Sequence, residues 1–205
     1  MIYTVAKRRD LAAIARLSAE VFAERLGQAA TRPPEPMLIE QSLRLFYDAD
    51  PRSFLVAQQG VDIAGYAFAP HPRSALWRAA VMRGHALRWL WHWPGGWRKS
   101  GLSPLRLMLL VQGHGQVLPP SLRGGRKDEA RVLVVAVRPD ARGRGVGTTL
   151  VRHALRSWRQ RGVGRVRLPI PAGDAVARRL LVKAGFYPAD AARAPKDWLV
   201  MLCDL

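Results

Sequence analysis

The chain has 205 residues, 49% of them apolar, which suits one folded domain with a real core and argues against disorder. A lone cysteine, Cys203, excludes an internal disulfide framework and fits a reducing compartment; no apolar run nears the roughly 20 residues of a membrane-spanning helix, and "MIYTVAKRRD" reads as strand then charge rather than a signal peptide, so a cytoplasmic location is expected. Lys and Arg number 33 against 15 Asp and Glu, a net charge of +18 that calls for an anionic partner: a phosphorylated cofactor, nucleic acid or an anionic membrane surface.

In chain order, residues 2–6 read as a strand, and Asp10 caps a helix running to about Gly27, with Leu11, Ile14, Leu17, Val21 and Phe22 at helical spacing. "TRPPEP" is a loop, 36–48 a second helix, and "SFLVAQQGVDIAGYAFA" a hairpin turning at Gln59-Gly60. The pattern breaks over 70–127, then "ARVLVVAV" resumes as a strand too apolar for an edge. An amphipathic helix over 145–161 stops at Gly162. "RVRLPI" is the next strand, Asp174 caps a helix ending before Gly185, and "DWLVMLCDL" closes the chain as a strand. The order predicts one α/β domain, residues 1–205, with a mixed sheet and an inserted segment, 70–127.

Charge is uneven along this plan. Residues 1–69 hold 8 basic and 8 acidic side chains, 70–127 hold 10 basic and none acidic, and 128–205 hold 15 and 7. An arginine-rich bias accounts for part of the excess, since only five of the 33 are lysines. It accounts less well for 58 residues without a carboxylate. Within the insertion, "SALWRAAVMRGHALRWLWHW" (74–93) reads as an amphipathic helix ended by Pro94, and "SPLRLMLLVQG" as a second short helix. Trp77, Trp89, Trp91, Trp93 and Trp97 crowd it. Three readings stand: a helical cap shaping a pocket, an interfacial helix touching an anionic bilayer through 74–97, and a basic, aromatic nucleic-acid surface. Nucleic acid is the least favoured, because no recognition motif accompanies the charge.

The stretch "RPDARGRGVGTTLV" (138–151) joins the buried strand to the following helix. A helix N-terminus presents unpaired N–H groups and partial positive charge, glycines bring the backbone close to an anion, and Arg142 and Arg144 add charge-assisted hydrogen bonds. The pattern suits a pyrophosphate. It is neither the dinucleotide fingerprint, because the strand comes late and no acid ends the next strand, nor a Walker loop, because no Gly-Lys-Ser/Thr follows.

"VAVRPDARGRGVGTTLV" closely resembles the cofactor motif of the GNAT N-acetyltransferase superfamily, Arg/Gln-x-x-Gly-x-Gly/Ala, matched by Arg142, Gly145 and Gly147. "DAVARRLLVKAGFYP" resembles the family's helix ending in Gly-Phe, matched by Ala177, Leu180, Gly185 and Phe186. The resemblance covers 130–205 well, 1–69 by element order, and 70–127 not at all. It implies the acyl-CoA N-acyltransferase fold, a mixed sheet whose fourth and fifth strands splay apart around acetyl-CoA as co-substrate. Pyrophosphate would meet the amides of Gly143, Arg144, Gly145, Val146, Gly147 and Thr148. Pantetheine would pair with backbone in the stretch Val135, Ala136, Val137, and an amide near Val135 would polarise the thioester carbonyl. Asp174 stands where the family has Asn and is carried over with these cofactor residues, although capping is its plainer role.

Two departures bear on proton chemistry. The family's acid, a Tyr five residues before the last Phe, is Leu181 here; Tyr187 is a weak substitute. The family's base, a Glu six residues before the Val ending the central strand, is Arg131, and Glu129, on the same strand face, is the base candidate. His71, His85, His92, His114 and His153 lack metal-ligand spacing, so no metal is expected; of these, His114 lies near the resumed strand, and Cys203 reads as a small core residue. The expectation is direct acetyl transfer, in a ternary complex, to the primary amine of a small molecule or amino sugar; a homodimer is compatible with it. The alternative is a catalytically weak CoA-binding or membrane-surface module, and a third reading is an N-terminal protein acetyltransferase.

Overall fold

The computed structural model describes residues 1–23, 36–71, 129–189 and 196–205. The helices read over 74–93 and in "SPLRLMLLVQG", the three readings of the insertion, the loop "TRPPEP" up to residue 35, and His85, His92 and His114 lie outside them.

The elements are β1 (Ile2–Val5), α1 (Leu11–Val21), α2 (Pro36–Ala49), β2 (Phe54–Gln59), β3 (Asp62–Phe68), β4 (Glu129–Ala130), β5 (Val134–Val137), α3 (Val146–Gln160), β6 (Arg165–Pro171), α4 (Ala175–Lys183), β7 (Tyr187–Pro188) and β8 (Trp198–Asp204). Two four-stranded sheets result, β1-β2-β3-β5 and β4-β6-β8-β7. The first is antiparallel throughout; in the second only β4–β6 is parallel.

Alternation along the strands explains the layering. Phe54, Val56, Tyr66, Val134 and Ala136 face α1 and α2 and close one core with Leu11, Ile14, Ile39 and Phe46. Leu55, Ala57 and Ala67 face the other way, where Leu150, Val151, Ala154 and Trp158 of α3 cover them together with Val166, Leu168, Met201 and Cys203 of the second sheet. α3 therefore spans both sheets and holds them together. Each large apolar side chain it buries contributes about 1.5–3 kcal/mol relative to exposure.

The apolar run 130–137 is not one strand, as its composition predicts. Glu129–Ala130 pairs with β6, Val134–Val137 pairs with β3, and residues 131–133 pass between the sheets. Val132 packs partly buried against the α1 core and Leu133 against the α3 core, so the run keeps its apolar contacts while its pairing changes. Asp10 is not the side-chain cap of α1. It ends a 3-10 turn, Arg8–Asp10, and its carboxylate accepts from Lys7 N–H at 2.7 Å, so it ties down the turn before the helix. α1 closes at Val21, where Phe22 leaves the helical conformation and buries its ring in the core; the expected continuation to about Gly27 lies outside the described residues. Tyr187–Pro188 adds an edge strand that two residues cannot announce in a sequence. The predicted hairpin turn, with Gly60 at φ +64, the stop at Gly162 and the stop at Gly185 are found where they were expected.

Candidate functional site

β5 has one partner. Its register with β3 sets Val137 against Gly65 and Val135 against Ala67. Arg138 N–H donates to Ala64 C=O at 2.9 Å, which fixes the alternation of the ladder. Ala136 and Val134 therefore exchange bonds with β3, and the N–H and C=O groups of Val135 and Val137 turn away from it, toward β6. Because the chain passes at 131–133 from pairing with β6 to pairing with β3, that edge borders the gap between the two sheets, a cleft.

The loop after β5 begins with a 3-10 turn, Pro139–Ala141, whose Ala141 is buried beneath α3. Arg138 clamps Asp140 across the turn, Nε to Oδ1 at 2.7 Å and Nη2 to Oδ2 at 2.9 Å. That pairing draws the Asp140 carboxyl below its usual range and the Arg138 guanidinium above its own. The acid nearest the loop is thus neutralised, and Arg142 and Arg144 are exposed. Arg142 Nε donates to Val137 C=O at 3.1 Å and ties the loop to the open edge.

Gly143 and Gly145 adopt φ +76 and +78, and a Cβ on either would project into open space. Gly145 is the N-cap of α3 and offers no side chain to its amides. The first hydrogen bond entering α3 runs from Thr149 N–H to Gly145 C=O at 3.0 Å, so Val146, Gly147 and Thr148 have N–H groups without intrahelical acceptors. Gly147 fixes where they sit: a Cβ there would lie 3.1 Å from Leu180 Cδ1 of α4 and 3.6 Å from Val137 Cγ2 of β5. The mouth of the helix is clasped against the open edge. Bare donors, two guanidiniums and a strand edge that no strand among the described residues covers meet at one end of the cleft, a donor set that fits a diphosphate followed by an amide-bearing chain.

Asp174 caps α4, its Oδ1 accepting from Ala177 N–H at 2.9 Å. Glu129 is 8% exposed, on the face of β4 opposite Ala130, and pairs with Arg131 Nη2 at 2.8 Å. Leu181 is buried against α3. Tyr187 stands on β7, two strands beyond β6, about 10 Å away by strand spacing. Its hydroxyl donates to Asp204 Oδ2 at 2.5 Å, a bond that raises the phenol's pKa. Tyr66 is buried with its hydroxyl on Ser18 Oγ at 2.8 Å. His153 stacks on Tyr3 with ring centroids 5.4 Å apart. The structure thus brings 135–137 and 142–148 together at the cleft, and leaves Tyr187 outside it.

A knot of polar contacts was not legible in the sequence. Asp50 accepts from Arg161 Nη2 at 2.7 Å and from His71 N–H at 3.1 Å, and Trp158 Nε1 donates to Pro70 C=O at 3.1 Å. It fastens residues 69–71 to the C-terminal end of α3, about 22 Å along the helix from the glycine loop. The pairs lie 21 to 111 residues apart, so no local pattern signals them.

The acetyltransferase (GNAT) family model matches residues 20–186. The mycothiol acetyltransferase of Rhodococcus opacus (strain B4) is 28% identical over 185 residues, 82% of this chain and 57% of that protein, so the chain spans little more than half of that relative. Among solved structures, the ribosomal-protein-alanine N-acetyltransferase of Brucella melitensis superposes with a TM-score of 0.61 at 18% identity, covering all of both chains. The yncA protein of Salmonella typhimurium, described with its cofactor acetyl-CoA, gives a TM-score of 0.61 at 16% identity over 100% of this chain and 93% of its own. At these identities the superpositions speak for the fold, and the family match spans most of the sequence: the chain belongs to the acetyltransferase (GNAT) family.

Proposed function

We propose that the protein transfers an acetyl group from acetyl-CoA to the primary amine of a small molecule or amino sugar, by direct attack in a ternary complex. One observation carries the cofactor half: the Val135–Val137 edge, which no strand among the described residues covers, runs into the bare N-terminus of α3. Acetyl-CoA supplies the activated thioester. The amides of residues 143–148, with Arg142 and Arg144, hold its diphosphate. The backbone of Val135 and Val137 orients the pantetheine arm, and Val135 N–H is the donor aimed at the thioester carbonyl. Asp174 keeps α4, and through Leu180 the first turn of α3, in place.

Glu129 takes the proton of the incoming amine, directly or through one water, with Arg131 orienting its carboxylate. Buried Leu181 donates nothing, so the departing thiolate takes its proton from solvent.

Calorimetry with coenzyme A, followed by an acetyl-transfer assay over an amine panel, tests this reading. The panel includes amino sugars and peptides. Turnover on small amines supports it. Turnover on peptides alone would point to an N-terminal protein acetyltransferase, and CoA-dependent thermal stabilisation without turnover would leave a binding module.

The domain is read as residues 1–205, with 70–127 inserted as a cap, in the cytoplasm. The ten basic and no acidic residues of 70–127 favour a second role at an anionic bilayer, through 74–97. Among the described residues no helix is long and apolar enough to cross a membrane. Unchanged partitioning onto anionic liposomes after deleting 74–100 would end the surface-binding role.

A further inference from the structure

Proline gives no amide hydrogen to a ladder and is seldom found in an inner strand. β6 carries two, Pro169 and Pro171, yet lies between β4 and β8. Bonds at the ends of the β6–β8 pair, Leu205 N–H to Gly164 C=O at 3.1 Å and Ala172 N–H to Asp197 C=O at 2.9 Å, fix the alternation. Even-numbered residues 164–172 exchange bonds with β8. Arg165, Arg167, Pro169 and Pro171 turn their backbone groups the other way, toward β4 and the cleft. Neither proline costs the β8 ladder a bond.

The parallel pairing of β4 with β6 ends at Ala130 and Val166. In that register Arg167 is the last β6 residue placed to donate to β4, and residue 169 would be next. Pro169 has no N–H, and neither has Pro171, whose carbonyl is taken by Asp174 N–H at 3.0 Å. The β6 edge stops supplying donors where the chain leaves it for the other sheet.

We infer that Pro169 and Pro171 are positioning residues that hold the cleft open. By withholding two consecutive ladder donors they keep β5 from zipping onto β6, and so leave Val135 and Val137 able to pair with a ligand. The second half of this inference rests on the cleft being the coenzyme A site; the first does not.

Pro169→Val, Pro171→Val and the double variant restore the missing donors in a residue that favours strands. Pro188→Val, on the outer strand β7, is the control. Amide exchange at Val135 and Val137 is followed by NMR without coenzyme A, and the Kd for coenzyme A by calorimetry. Exchange at both valines should slow at least tenfold in the double variant and the Kd rise at least fivefold, with Pro188→Val unchanged. Unaltered exchange at Val135 and Val137 in a folded double variant overturns the inference. Should the double variant not fold, the same comparison is made on Pro171→Val. A wild-type chain that binds no coenzyme A defeats the cofactor reading, and the exchange rates still decide whether the prolines keep the strands apart.

Discussion

Gly145 is constrained by conformation rather than room, since its φ of +78 leaves a Cβ with no neighbour within 4 Å. A β-branched residue there must hold a left-handed backbone, at about 1–2 kcal/mol, or rotate the amides that follow it. Gly145→Val should raise the calorimetric Kd for coenzyme A at least tenfold, with Gly145→Asn milder, because Asn tolerates the left-handed region. Glu129 offers a sharper test of chemistry. If its carboxylate takes the amine proton, Glu129→Gln lowers kcat by about 10²–10⁴ and leaves the KM for acetyl-CoA nearly unchanged. An unaltered kcat would return the residue to a structural pairing with Arg131. The glycine loop could be read from residue order alone, because its chemistry is local. Glu129 was placed by strand alternation, but its ion pair needed coordinates.

Among the elements, the second sheet is fastened at its outer end by Tyr187 and Arg165, which both hold Asp204, the latter at 2.7 Å from Nε. The Tyr187 hydroxyl first, then the Arg165 guanidinium, draw the Asp204 carboxyl below its usual range. A group held that way stabilises the fold above the ordinary carboxylate range, and the contribution is lost as pH falls through its lowered folded value. Asp204→Asn should therefore lower the melting temperature slightly at neutral pH and leave it unchanged at the acid end, where the wild-type carboxyl is protonated, so that the acid limb of melting temperature against pH flattens. The effect is small, since the cluster is solvent-exposed. The sequence made α3 plain, because a helix declares itself every three to four residues. It hid the break in "ARVLVVAV", because apolar composition reports burial and says nothing about which neighbour accepts a bond. The prolines that end the pairing lie over thirty residues downstream, and their alternate spacing in "RVRLPIP" was the available clue.

Across the whole molecule, the +18 net charge makes association with a polyanion sensitive to salt. Coenzyme A affinity should fall severalfold between roughly 50 and 500 mM salt, as the screening length drops below the span of the arginine-lined loop. Binding that ignores ionic strength would mean the guanidiniums near Gly143 do little for the ligand. Cys203, the chain's single cysteine, sits 7% exposed in the core that joins α3 to the second sheet. Burial, and next the nearby Asp204 charge, push its thiol up, so the intact sheet keeps it protonated and slow to react. An alkylating reagent consequently finds one target only when that sheet opens, and the pace of labelling serves as a stopwatch for breathing of the layer against which the cleft is built.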